Sequence, residues 1–213
     1  MPADPLGPVE GPAAFRPPNP VVIGLLGGIA AGKSAVAGLF AAHGLVAVDA
    51  DRLARAASED PAALQEIGAA FGPGLVAGGR LDRAAMADLV FADPANKRRL
   101  EAILHPRIRA RILAELDAAR AAGRSVLLDA PLLLEGGLID FCDRVVFVAA
   151  DEATRKRRAA ARGWDDRELA RREAAQASLA EKMARADRTI HNDGDLPETA
   201  RQVAAFLAEL QAR

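Results

Sequence analysis

The chain has one cysteine, one tryptophan and no tyrosine in 213 residues. A lone thiol, Cys142, cannot close an intramolecular disulfide, so a packed core has to hold the fold, and this usage suits a reducing, cytoplasmic setting. Histidine is scarce as well: His43, His105 and His191 stand far apart, and no His/Cys spacing suggests zinc. Apolar runs are short, and none approaches the roughly 20 residues that span a bilayer. No membrane partner is therefore expected. Neither sign of charge is in excess, since the net charge is −1, and that argues against a general nucleic-acid binder. Lysine is rare, at four of 28 basic residues. A GC-rich genome explains such a skew, while arginines that grip phosphate bidentately would draw on the same residues.

Proline is not lacking, but much of it is crowded into the first 20 residues, "MPADPLGPVEGPAAFRPPNP", which contain no apolar signal core. Repeated proline blocks both helix and ladder formation, so residues 1–20 are expected to form a disordered leader. The remainder, 21–213, is large enough to bury its own core. There the sequence alternates short β-rich runs with longer helical ones. "VVIGLL" reads as a buried strand, and Lys33 to His43 as a helix stopped by Gly44. "LVAVDAD" is a second strand, and Asp60-Pro61 opens a helix running to about Phe71. Asp82 to about Gly123 is helical, and Pro106 is expected to split it, one helix ending near Leu104 and the next starting at the proline. "SVLLDAPLLLE" and "DRVVFVAA" are strands three and four. An arginine-rich helical stretch from Asp151 to about Ala186 breaks near Gly163. "RTIHNDG" is a last strand and turn, and a terminal amphipathic helix follows. Strands separated by helices predict an α/β fold, a parallel sheet flanked by helices, with ligands beyond the carboxyl ends of the strands.

"GGIAAGKS", Gly27 to Ser34, has the G-x-x-x-x-G-K-[ST] spacing of a phosphate loop and lies between a strand and a helix, as that mechanism requires. Gly27 and Gly32 let the backbone curl so that consecutive N–H groups point at phosphate oxygens. Lys33 would neutralise the β- and γ-phosphates, and Ser34 would offer its hydroxyl to Mg²⁺. The motif predicts a nucleoside triphosphate and magnesium without naming the acceptor of the phosphoryl group.

Asp49 and Asp51 end the second strand, and strand alternation would turn both to one side. They can bind Mg²⁺, take a proton from an alcohol, or cap the next helix, where Asp51 is a good N-cap. Asp129 ends the third strand within reach of the magnesium shell. Arg158 and Arg162, four apart, share a helix face that is either plain charged surface or a phosphate clamp. Cys142 sits among apolar neighbours and reads as a buried, inert thiol, and packing is the default role for Trp164.

Taken in order, "GLLGGIAAGKSAVAGLFAAHGLVAVDADRLAR", "LDRAAMADLVFADPANKRRLEAILHPRIR", "DAPLLLEGG" and "AAQASLAEKMARADRTIHNDG" resemble the signature blocks of dephospho-CoA kinases from about Val22 to Ala204. The resemblance implies a P-loop kinase sheet with a helical CoA-side domain and a lid. In this chain that means a core of 21–60, 124–150 and 186–213, a helical substrate region of about 61–123 and a lid of about 151–185. It implies transfer of the γ-phosphoryl of ATP to the ribose 3′-hydroxyl of dephospho-CoA. By the same resemblance Gly28, Ile29, Ala30, Ala31, Gly32, Lys33, Ser34 and Ala35 form the ATP loop, and Asn192 and Gly194 the turn near the adenine. Asp51 is the catalytic base and Asp49 its companion. His105, Pro106 and Arg109 fall in the acceptor-side region, Pro131, Leu132 and Glu135 in the loop after strand three, and Arg158 and Arg162 at the lid arginines. Lys182 and Gln176 also match family positions, where ion pairing is an equally good reading.

The chain departs from the pattern in the loop. The family usually has Thr at Leu26, Gly-Ser at Ala30-Ala31 and a second hydroxyl at Ala35. Loss of that hydroxyl removes one hydrogen bond to phosphate, about 1–3 kcal/mol of ATP affinity. Two other functions use the same loop: a kinase for a nucleoside monophosphate or sugar acid, and a nucleotide-dependent switch. The acid pair and the arginine lid count against the switch, and the sequence leaves the oligomeric state open.

Overall fold

A computed structural model describes residues 12–130 and 133–212. Five strands, β1 (Val22–Gly27), β2 (Val46–Asp49), β5 (Val126–Asp129), β6 (Arg144–Ala149) and β7 (Arg188–His191), form one sheet in the order β2-β5-β1-β6-β7. β1 pairs in parallel with β5 on one side and β6 on the other, and β6 in turn with β7. All six residues of β1 are buried. This is why its sequence is a continuous apolar run: a central parallel strand is covered on both faces. The strand order reverses at β1, and such a switch point opens a crevice for ligands.

The chain divides into two compact units, one made of the residues up to Ala47 and from Ala119 onward, the other Val48–Ala118. In the first unit, α1 (Lys33–Ala42) and α9 (Leu196–Gln211) pack together on the sheet. Phe40 and Phe206 meet edge to face, with ring centroids 6.3 Å apart, in a core that includes Ile23, Leu25, Val146, Val148 and Ile190. Three short helices complete the unit: α6 (Glu152–Ala160), α7 (Asp166–Ala174) and α8 (Leu179–Ala184). Each is started by a side-chain cap, Asp151, Asp165 and Ser178, and the last of these forms a full capping box with Glu181. The break expected near Gly163 is present, and that glycine has φ +78°.

The expected leader needs a correction at its end. Residues 1–11 lie outside the described residues, but Phe15 is buried at 8% exposure in the core of the first unit. Its N–H donates to the carbonyl of His43 at 2.8 Å, and the ring nitrogen Nδ1 of His43 lies 2.8 Å from the carbonyl of Ala13. Burying one aromatic ring is worth about 1.5–3 kcal/mol, which favours the docked position of this segment.

The second unit contains α2 (Ala50–Ser58), α3 (Pro61–Phe71), a hairpin of β3 (Val76–Ala77) and β4 (Arg80–Leu81), α4 (Arg83–Ala92) and most of α5 (Pro94–Ala121). It starts at Val48 rather than near 61, because α2 belongs with these helices. Its core gathers Ile67, Leu75 and Met86 with Leu81, Leu89, Val90, Leu100 and Leu104. The expected split at Pro106 does not occur, and α5 runs through it for 28 residues. Proline removes one backbone donor and crowds the preceding turn. The carbonyl left without that donor is that of Ala102; one residue further on, the Arg107 guanidinium donates to the carbonyl of Ile103 at 2.7 Å.

Candidate functional site

The site of the first unit is built on the loop that leaves β1. Gly28 accepts from the Ala31 N–H at 3.1 Å, Ala30 takes φ +60° and Gly32 takes φ +89°. Two left-handed residues in three steps turn the backbone into the first turn of α1, and Gly32 meets the demand without Cβ strain. Gly32 is the N-cap of α1 but offers no side-chain acceptor to the helix. The leading amides therefore remain available to an anion, where the helix dipole adds positive charge. A cavity of about 190 Å³ lies over this loop, lined by Gly27 to Ala30, Gly32, Lys33, Ser34, Arg162, Trp164, Gln176 and Lys182.

Residues from three other elements brace the loop from behind. The carbonyl of Ala31 accepts from Asn192 Nδ2 at 2.8 Å and from Arg158 Nη1 at 3.0 Å. Arg158 also donates through Nη2 to the carbonyl of Asn192 at 2.8 Å, and Asn192 Oδ1 accepts from the Thr199 hydroxyl at 3.2 Å. Asn192 is 4% exposed, so its side chain is spent on these contacts. The two lid arginines thus separate. Arg158 on α6 holds the loop backbone, whereas Arg162, past the end of α6, lines the cavity with its guanidinium 5.5 Å from the Trp164 ring. The expectation of one shared helix face fails because α6 ends at Ala160. Gly194 is exposed and does not line the cavity.

Lys33 Nζ donates to Asp129 Oδ1 at 2.8 Å, which joins the first residue of α1 to the end of β5. Glu135, in the segment after β5, accepts the Ala177 N–H at 2.6 Å ahead of α8. Its carboxylate stands 3.9 Å from Lys182 Nζ. Pro131 and Leu132 lie outside the described residues.

Two buried cations stand beside the loop: Lys182, which the resemblance places at a family position with ion pairing as an equal reading, and Arg155, which it does not name. Lys182 is 2% exposed and donates to Gln176 Oε1 at 2.6 Å. Burial pushes its pKa down, and the charges of Glu135 and Glu173 oppose the shift while that of Lys33 adds to it. Arg155 lies beside Gly28, paired with Glu173, and its Nε is a buried polar atom with no partner among the described residues. The family match was the available signal for Lys182. Nothing singled out Arg155 among 28 basic residues.

Asp49, Asp51, His105 and Arg109 belong to the second unit. β2 ends at Asp49, and it is Asp49, not Asp51, that caps α2, accepting the Arg52 N–H at 3.0 Å. Asp51 stands in the first turn of the helix, so strand alternation does not relate the two side chains. Asp51 lines a groove of about 370 Å³ with Arg55, Ser58, Arg83 and the apolar residues Met86, Val90, Leu100 and Leu104. His105 and Arg109 are exposed on α5 and do not line that groove.

Comparison with known proteins agrees with this geometry. The family model described as dephospho-CoA kinase matches residues 21–198. A dephospho-CoA kinase of Deinococcus radiodurans is 46% identical over 202 residues, covering 94% of this chain and 97% of that one. One from Geobacillus kaustophilus is 43% identical over 198 residues, covering 90% and 98%. The solved structure of TT1252 from Thermus thermophilus superposes with a TM-score of 0.78 at 40% identity, covering 90% of this chain and 98% of that one. A dephospho-CoA kinase from Campylobacter jejuni, 23% identical, shares the fold with a TM-score of 0.69, covering 90% and 97%. Phosphate loop, parallel sheet and sequence agree across nearly the whole length, and the chain belongs to the dephospho-CoA kinase family.

Proposed function

We propose that this chain transfers the γ-phosphoryl of ATP to the ribose 3′-hydroxyl of dephospho-CoA, giving CoA and ADP in the last step of coenzyme A synthesis. The observation that carries the reading is the family match across residues 21–198. The loop amides and Lys33 bind the triphosphate, and Arg162 offsets charge on the transferring group from the cavity wall. Arg158 and Asn192 keep the loop in shape. A cation of the magnesium type fits the hard oxygen donors on hand, the Ser34 hydroxyl and the Asp129 carboxylate. When bound, that ion neutralises phosphate charge.

Asp51 orients the acceptor hydroxyl and takes its proton. Support for this comes from the cap geometry: with Asp49 committed to the helix backbone, Asp51 is the acid of the pair that lines a groove. That groove is mostly apolar with two arginines at its side, which suits a long, flexible acceptor carrying phosphate groups. Asp49, His105, Arg109, Pro131, Leu132 and Glu135 are assigned to the acceptor side by resemblance, Glu135 acting through its hold on the Ala177 amide. Asn192 and Gly194 form the adenine-side turn on the same ground. We place the reaction in the cytoplasm, the setting that suits a single unpaired cysteine.

Purified protein given Mg·ATP and dephospho-CoA should form CoA and ADP in equal amounts, read by chromatography. Folded protein that makes no CoA overturns the proposal. Phosphorylation of a nucleoside monophosphate or sugar acid in its place would reassign the acceptor.

A further inference from the structure

Lys182 is the most deeply buried charge beside the phosphate loop. Its side chain is 2% exposed, and among the described residues its hydrogen bond goes to a neutral amide, Gln176 Oε1 at 2.6 Å. The nearest carboxylate, Glu135, is 3.9 Å away and already accepts the Ala177 amide. An ammonium has three donor hydrogens, and burying it costs several kcal/mol unless charge and hydrogen bonds replace its water. Among the described residues, the contacts around Lys182 therefore leave its charge only partly compensated.

Lys182 lines the cavity over the loop together with Lys33, Ser34 and Arg162, and a smaller adjoining cavity of about 170 Å³ with Gly28 and Ile29. Lys33, by contrast, has a carboxylate partner at 2.8 Å. An anion in the main cavity would complete the coordination of Lys182 at little cost in reorganisation, because α8 is already pinned through its capping box and through Glu135 at Ala177. The surrounding charged groups are Glu135 from the segment after β5, Glu173 from α7 and Lys33 from α1, and burial with Lys33 holds the ammonium below the usual lysine range.

We propose that Lys182 is a binding residue for the nucleoside triphosphate, its ammonium taking a phosphate oxygen across the cavity from Lys33. The ligand class rests on the kinase reading above, but not on which acceptor is phosphorylated.

The test titrates Mg²⁺ with a β,γ-imido analogue of ATP into the whole protein by calorimetry, with no acceptor present. Lys182→Met, which keeps the volume and loses the charge, should weaken binding at least about tenfold, the scale of one charge-assisted hydrogen bond, with its unfolding midpoint unchanged or raised. Lys182→Arg should restore most of the affinity. Wild-type affinity should fall as pH rises through the lowered lysine range, since deprotonation removes the cation, and Lys182→Arg should lack that limb. Binding by Lys182→Met within twofold of wild type overturns the proposal. So does an equal loss in both variants accompanied by a lower unfolding midpoint, which marks a structural lysine. If Lys182→Met does not fold, identical pH profiles for wild type and Lys182→Arg overturn it, and divergent ones support it. CoA formation by the wild type is scored separately, so a failure of the acceptor assignment is distinguishable from a failure at Lys182.

Discussion

The side-chain amide of Asn192 donates to the carbonyl of Ala31 at 2.8 Å, across 161 residues of sequence. The contact ties the turn after β7 to the middle of the phosphate loop and shares its acceptor with Arg158. A loop that must present its amides to a triphosphate is pre-organised by such bonds, and binding then loses less conformational entropy.

Gly32→Ala tests that relationship. A Cβ there would collide with Asn192 Nδ2, at a position with φ +89° where an L side chain is strained. The Asn192 side chain is buried and hydrogen-bonded, so it cannot move aside cheaply. The variant should lose about 1–3 kcal/mol of stability and bind ATP at least tenfold more weakly. Chemical denaturation and nucleotide titration measure both effects.

Arg158 and Arg162 should differ in what their removal does. Arg158→Ala leaves the Ala31 and Asn192 carbonyls short of a charged donor, so it should lower the unfolding midpoint and raise KM for ATP. Arg162→Ala removes a cavity-lining cation and should act mainly on kcat, by about 10²-fold or more, with stability nearly unchanged. Steady-state kinetics beside thermal unfolding of each variant separates the two roles. Equal kinetic profiles would contradict the division.

Asp49 and Asp51 offer a similar contrast. Asp49→Ala deletes the cap of α2 and should cost about 1 kcal/mol of stability. Asp51→Asn keeps shape and capping intact and should slow turnover by about 10²-fold with ATP affinity near normal. Unfolding curves and kcat for both variants check the pair, and an active Asp51→Asn would remove it as the base.

Cys142 should be inert. Burial first, then the charges of Asp143 and Asp140, push its thiol up to about 12 from an ordinary value of 9.0. At pH 8 the folded protein should react with iodoacetamide far more slowly than the unfolded chain. The unfolded state releases this proton from about pH 9 while the folded state keeps it to about 12, so stability should fall as pH rises across that window. Alkylation followed by mass spectrometry, and denaturation at pH 8 and 10, measure the two effects.

Much of this was legible in the residues alone. The buried β1 run, the motif glycines with Lys33 and Ser34, and the Asp60-Pro61 helix start are local signals, and local sterics act on them whatever the rest of the chain does. Pro106 does not split the helix because its local penalty is small beside the packing of a 28-residue helix. Asp49 displaced Asp51 as the cap because the strand stops two residues earlier than its pattern implies. Phe15 looked like part of a leader because nothing nearby in sequence shows that a core waits for it.

The amino-acid order by itself determined that a triphosphate-binding loop stands between a central parallel strand and a helix, since backbone curl and helix polarity are properties of contiguous residues. What each cation beside that loop touches was settled only by tertiary structure. Arg158 and Arg162 read as one pair on one helix face and Lys182 as an ion-pairing residue, and long-range packing assigns one to the loop backbone, one to the cavity wall and one to a buried position beside Gln176.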